Sequence, residues 1–139
     1  MVNILIIDDD PEIRKILASH LNSMDHMPMV VETLSDGLET VASIDIDLVF
    51  LDVNLPDGNG LDAIEPIKRS PSKPEIIIIT GEGSEKGAEL AFSNGVWDYI
   101  LKPFSSHEIK LQVQRSLAFR ESQQQLQSAD HQINRKGII

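Results

Sequence analysis

Two apolar patterns alternate along the chain. Short, nearly unbroken aliphatic runs occupy Val2–Ile7 (VNILII), Ile46–Leu51 (IDLVFL) and Glu75–Ile79 (EIIII). Runs of that length, rich in β-branched residues, predict strands buried on both faces, as in the centre of a parallel sheet. Trp97–Leu101 (WDYIL) predicts a further strand, and the shorter Met29–Glu32 (MVVE) one nearer an edge. Between these runs the apolar spacing becomes helical. Ile13, Ile16, Leu17 and Leu21 form one stripe after Pro11, a residue tolerated in a first turn. Leu38, Val41 and Ala42 form a second. A third, with Leu61 and Ile64, follows the Pro56-Asp57-Gly58 turn, and Pro66 predicts a kink or early stop. A fourth covers about Ser84–Asn94, weakened by Gly87 and ended by Asn94-Gly95. The fifth begins near Ser105 or Ser106, either of which suits a cap.

Strand and helix therefore alternate five times, which predicts a doubly wound α/β fold: five parallel strands with helices on both faces. Ligands in such folds bind beyond the carboxyl ends of the strands, where strand order reverses. The residues following the first, third, fourth and fifth strands are Asp8-Asp9, Asp52, Thr80 and Lys102. They are expected to converge at one sheet edge.

Composition narrows the chemistry. The 139 residues suffice for one domain with a useful core, and the chain contains no cysteine. Disulfides, thiolate metal sites and cysteine nucleophiles are thereby excluded, which fits a reducing cytoplasm. A net charge of −10 argues against direct binding of nucleic acid, which needs clustered Lys and Arg. The opening apolar run is too short for a membrane span and has no basic flank. Acids gather at Asp8, Asp9 and Asp10 and again at Asp52 and Asp57. Converging carboxylates repel, by on the order of 4 kcal/mol for two unit charges about 4 Å apart at an effective dielectric near 20. Lys102 offsets part of this, and a hard divalent ion such as Mg²⁺ suits the remaining all-oxygen donor set. His20, His26, His107 and His131 are too scattered for zinc.

The segments ILIIDDDP, DLVFLDVNLPDGNGLD, IIIITGEG and DYILKPF together resemble the receiver domains of two-component response regulators, over about residues 2–120. In feel they are nearest to receivers of nitrogen-regulator-type transcription activators. The resemblance implies a flavodoxin-like (βα)5 domain over residues 1–120. Residues 121–139 then extend the last helix as a linker toward an output domain outside this chain. It also implies a cytoplasmic signalling switch, not a conventional enzyme, that takes a phosphoryl group from a sensor histidine kinase or a phosphotransfer protein. Residue by residue, Asp52 matches the phosphoacceptor. Asp8 and Asp9, with Asp52 and the Asn54 backbone carbonyl, match the Mg²⁺ ligands. Thr80 and Lys102 match the hydroxyl and the ammonium that meet the phosphoryl oxygens, and Thr80 and Tyr99 match the switch pair.

Three further expectations come from the residues. Asn54 and Glu82, two positions after Asp52 and Thr80, are placed to orient a hydrolytic water and so set how long the phosphoryl group lasts. On the fifth helix, Ile109, Val113 and Leu117 should pack on the sheet. Leu111, Ala118, Phe119 and Leu126 fall on another side, where they would suit a homodimer. Two rival classes fit less well. A flavin carrier needs a phosphate-cradling loop where this chain has three aspartates, and an Asp-nucleophile phosphatase usually carries a cap domain.

Overall fold

In the computed structural model the backbone is described over residues 2–135 and side chains over residues 2–127. The elements run β1 (Asn3–Ile7), α1 (Pro11–Ser23), β2 (Met27–Val31), α2 (Leu34–Ser43) and β3 (Leu48–Leu51). A small hairpin of β4 (Asn54–Leu55) and β5 (Gly58–Asn59) leads through a 3₁₀ turn (Gly60–Ala63) into α3 (Ile64–Lys68). Then come β6 (Glu75–Thr80), α4 (Glu85–Ser93), β7 (Asp98–Leu101) and α5 (Ser106–Arg135). Five strands form one parallel sheet in the order β2-β1-β3-β6-β7. The chain leaves β1 toward one edge and returns to its other side as β3. That reversal opens a crevice above their carboxyl ends.

The side chains of β1, β3 and β6 behave as the unbroken aliphatic runs require. Ile4 to Ile7, Leu48 to Leu51 and Ile76 to Ile79 are at most 1% exposed. One face is covered by Val41 of α2, Ile64 and Ile67 of α3 and Ala91 of α4. The other is covered by Leu17 and Leu21 of α1 and Ile109 and Val113 of α5, with Leu117 partly buried beside them. His20 lies half-buried on α1.

Local chemistry starts the helices. The Asp10 carboxylate accepts from the Glu12 N–H, the Thr33 hydroxyl from Asp36 N–H and the Ser84 hydroxyl from Gly87 N–H. Of the two candidates for α5, Ser105 is the cap, accepting from Glu108 N–H.

Several boundaries differ from the sequence reading. The strand expected at Met29–Glu32 starts at Met27 and runs through Pro28, and it is an edge strand as its weak pattern implied. β3 begins at Leu48, two residues after its apolar run starts, and the Ile46 N–H donates to the Ser72 hydroxyl, outside the ladder. The third helix is broken into a 3₁₀ turn and five α residues. Pro66 falls in the first turn of those five, where its missing N–H costs no helical bond. The helix ends two residues later. The Pro56-Asp57 turn is the tip of an unforeseen hairpin.

At the amino-terminal edge of the sheet, Arg120 of α5 reaches under the strands. Its Nε donates to Asp47 Oδ1 at 3.2 Å, and its terminal nitrogens donate to the Lys73 and Ser72 carbonyls at 2.7 and 2.6 Å. Lys73 adopts φ +46°, a left-handed conformation uncommon for a side-chain-bearing residue. Asp47 also receives the Asn3 N–H, so one carboxylate ties β1, β3 and α5 together.

Candidate functional site

β1 and β3 are neighbours, so their ends deliver Asp8 and Asp52 side by side. Asp8, Asp9 and Asp52 each offer a carboxylate oxygen, and these lie within 4.8 Å of one another. Asp8 and Asp52 are buried and Asp9 is exposed at the rim. The backbone sets this arrangement: Asp52 N–H donates to the Ile7 carbonyl at 2.9 Å, and the Asp10 N–H donates to Asp8 Oδ1 at 2.9 Å. Gly60 closes the floor. A methyl group there would collide with the Asp52 carbonyl oxygen, so only glycine lets the chain after the hairpin pass beneath the acidic cluster.

Lys102, one residue beyond β7, extends across the crevice. Its ammonium is 2.8 Å from Asp8 Oδ2 and 3.4 Å from Asp52 Oδ2. The closer partner is thus Asp8. Burial lowers the lysine pKa, but hydrogen bonding and charge from Asp8, with Asp52 behind, outweigh it and hold the ammonium above its ordinary value. Burial, then the charge of Asp8, pushes Asp52 up to about 6, against the opposing pull of Lys102. The ammonium pairs with two of the three carboxylates, Asp8 and Asp52, so the cluster is under-neutralised. Its donors are hard oxygens without a histidine among them, and the least buried, Asp9, opens to solvent. That donor set fits a hydrated Mg²⁺ better than a transition metal.

Thr80 ends β6, fully buried, and its hydroxyl accepts from the Glu82 N–H at 3.3 Å. Asn54 begins β4 and is exposed, as is Glu82. Tyr99 is half-buried on β7, and its hydroxyl accepts from the Ser84 N–H at 3.4 Å. A Cβ on Gly87 would lie 3.0 Å from Ser84 Oγ and 3.1 Å from that hydroxyl, and one on Gly83 would collide with Leu101 Cδ2 and lie 3.2 Å from the tyrosine ring. These glycines make room for the tyrosine, a role hidden in a sequence where Gly87 looked only like a weak point of α4.

The structure thus brings together Asp8, Asp9, Asp52 and Lys102, with Thr80 at the end of the next strand. Asp57 does not join them. Its carboxylate crosses to α2 and accepts from Leu34 N–H at 2.8 Å and Ser35 N–H at 3.0 Å, which lowers its pKa. Asp10 is likewise spent as a helix cap.

Comparison with known proteins points the same way. Residues 4–114 match the family described as the response regulator receiver domain. The KDP operon transcriptional regulatory protein KdpE of Escherichia coli (strain K12) is 32% identical over 117 residues, covering 84% of this chain and 52% of that protein. A putative NtrX-like response regulator of Rickettsia bellii is 31% identical over 118 residues, covering 84% of this chain and 25% of that protein. The chain therefore spans about half the length of the first relative and a quarter of the second. In structure, a CheY-like receiver domain protein from Methanospirillum hungatei superposes with a TM-score of 0.84 at 24% identity, covering 88% of this chain and 98% of that one, a likeness of fold. Among the described residues, no helix is long and apolar enough to cross a membrane.

Proposed function

Because the chain belongs to the response-regulator receiver family, whose role is a phosphorylation-dependent switch in two-component signalling, we propose that Asp52 is its phosphoacceptor. A histidine kinase is the partner this family implies, and its relatives include transcriptional regulators. The supporting observation is the position of Asp52: buried at the end of a central strand, beside Asp8 and Asp9 and 3.4 Å from the Lys102 ammonium.

In this reading an Asp52 carboxylate oxygen attacks phosphorus as the bond to the donor nitrogen of a phosphohistidine breaks. The product is an acyl phosphate. Lys102, held above its ordinary pKa, stays charged and meets the phosphoryl oxygens, and the Thr80 hydroxyl donates to another. Asp8, Asp9, Asp52 and the Asn54 carbonyl would hold Mg²⁺, which supplies charge neutralisation that Lys102 alone does not. As Thr80 turns toward the phosphoryl group, Tyr99 moves within the space left by Gly83 and Gly87 and alters the α4–β7 surface. Asn54 and Glu82, both exposed at the mouth, orient the water that later removes the group. Residues 1–120 would form the receiver and residues 121–139 its link to an output domain beyond this chain, acting in the cytoplasm.

The test is incubation with a small phosphodonor and Mg²⁺, followed by intact-mass measurement. One added phosphate is expected, and none on Asp52→Asn; equal labelling of that variant would overturn the assignment. Decay after donor removal should slow in Asn54→Met and Glu82→Leu, and equal lifetimes would remove those two residues from the reading.

A further inference from the structure

The β4–β5 hairpin, which carries Asn54, is pinned at its base and at its tip. At the base, the Gly60 N–H donates to the Val53 carbonyl at 2.7 Å. At the tip, the two Asp57 carboxylate oxygens accept from the Leu34 and Ser35 N–H groups of α2 at 2.8 and 3.0 Å. Such short strands hold little by themselves, since an isolated hairpin is marginal in water. In an antiparallel ladder, opposed residues alternate between pairs that exchange hydrogen bonds and pairs that do not. The bond from Gly60 to Val53 makes the next pair, Asn54 and Asn59, one of the second kind. The ladder therefore leaves the Asn54 carbonyl unused, just past Asp52.

The junction of β2 and α2 that holds this tip also holds the other side of the acidic cluster. Arg14 of α1 donates to the Asp8 carbonyl at 2.9 Å and to Glu32 Oε1 at 3.4 Å. The Asp8 N–H donates to the Val31 carbonyl at 3.2 Å. One short segment, Val31 to Ser35, thus ties down Asp8 on one side and the hairpin on the other. Asp57 is not needed to start α2 at Asp36, because the Thr33 hydroxyl already accepts that N–H. Its bonds are what join the hairpin tip to the helix.

Given the metal site proposed above, on which this inference rests, we propose that Asp57 is a positioning residue for Mg²⁺. By tying the hairpin tip to α2 it keeps the Asn54 carbonyl in place for the ion. Mg²⁺ demands near-ideal octahedral geometry, so it tolerates little drift in any ligand. Asp8 and Asp52 follow directly from buried strands and are fixed by them. A carbonyl on a short hairpin moves with its whole segment, and here that segment is exposed at Asn54 and from Pro56 to Asn59. The two bonds from Asp57 restrain the part of it that packing does not reach.

Calorimetric titration of the full chain with MgCl₂ measures the effect. Asp57→Ala should weaken Mg²⁺ binding about tenfold, the lower end of what outer partners of a metal ligand contribute. Asp57→Asn removes the same charge but keeps one acceptor oxygen, so it should lose less. Val113→Ala opens a cavity on the opposite face of the sheet, and should lower the melting temperature with Mg²⁺ affinity unchanged. Exchange of the Gly60 amide hydrogen, followed without Mg²⁺, should be faster in Asp57→Ala because the hairpin opens more often. Three results would overturn the proposal while leaving the metal site standing: wild-type Mg²⁺ affinity in Asp57→Ala, equal losses in the Ala and Asn variants, or unchanged Gly60 exchange. A wild-type chain that binds no Mg²⁺ would instead overturn the reading of the metal site, and the proposal with it.

Discussion

The two edges of the sheet solve one electrostatic problem in opposite ways. At the amino edge, Asp47 meets a guanidinium whose two terminal nitrogens each donate to a backbone carbonyl, and its other oxygen takes the Asn3 N–H. At the carboxyl edge, three carboxylates gather and one ammonium pairs with two of them. The first edge pairs its carboxylate with a guanidinium and holds elements together. The second keeps unspent negative charge, which favours an arriving cation and, with it, a phosphoryl group. Reactivity in this fold comes from what local pairing leaves incomplete.

Removing the cation from each edge should give the largest effects. Arg120→Ala strands a partly buried carboxylate and two carbonyls, and is expected to cost about 2–4 kcal/mol. Millimolar Mg²⁺ should not restore it. Lys102→Ala should also lower the melting temperature, but here Mg²⁺ should recover most of the loss. Thermal denaturation with and without the ion separates the two, and equal rescue would erase the distinction between the edges.

Removing one carboxylate charge sharpens the contrast, since the signs should differ. In Mg²⁺-free buffer Asp52→Asn relieves repulsion and should stabilise the fold by about 1–2 kcal/mol. Asp47→Asn weakens a satisfied pair and should destabilise it. Chemical denaturation measures both, and matching signs would refute the account.

The smallest effect belongs to Asp57, an acid of neither edge. Its pKa is lowered by the Ser35 and Leu34 N–H groups, so the folded state favours the ionised form. That contribution is present above the ordinary carboxylate pKa, near 3.9, and is lost as pH falls through the folded value. Asp57→Ala should therefore melt below wild type at neutral pH, and the gap should close under acid conditions. A gap independent of pH would assign the loss to something other than these hydrogen bonds.

What could be read from the sequence follows from how local each signal is. The aliphatic runs of β1, β3 and β6 announce buried parallel strands, and Asp8, Asp52, Thr80 and Lys102 stand at their ends and that of β7. The alternation of strands and helices was enough to place Asp8, Asp52 and Lys102 at one sheet edge. The role of Asp57 was not legible because its partners, Leu34 and Ser35, lie in another element and no local pattern joins them. Gly87 was undervalued because its use depends on where the Tyr99 hydroxyl arrives. Arg120 carried no signal either: its partners are two carbonyls, one presented by a residue at positive φ, and an aspartate from a distant strand. Long-range contacts made through backbone carbonyls leave no trace in residue type.

Pro28 in the edge strand β2 bears on a different matter, the fate of the sheet's open side. Met27 donates its N–H to the Val2 carbonyl, and the Val31 carbonyl accepts from the Asp8 N–H, so the odd-numbered residues of β2 face β1. Alternation then turns the backbone of Pro28 and Val30 outward. Proline has no N–H to offer there, and the ladder with β1 loses nothing by it. A foreign strand approaching this edge meets an interrupted row of donors, although Met27 and Val30 are each 49% exposed and would reward adhesion. One ring thus ends the sheet at β2 and guards a concentrated solution of this protein against edge-to-edge aggregation.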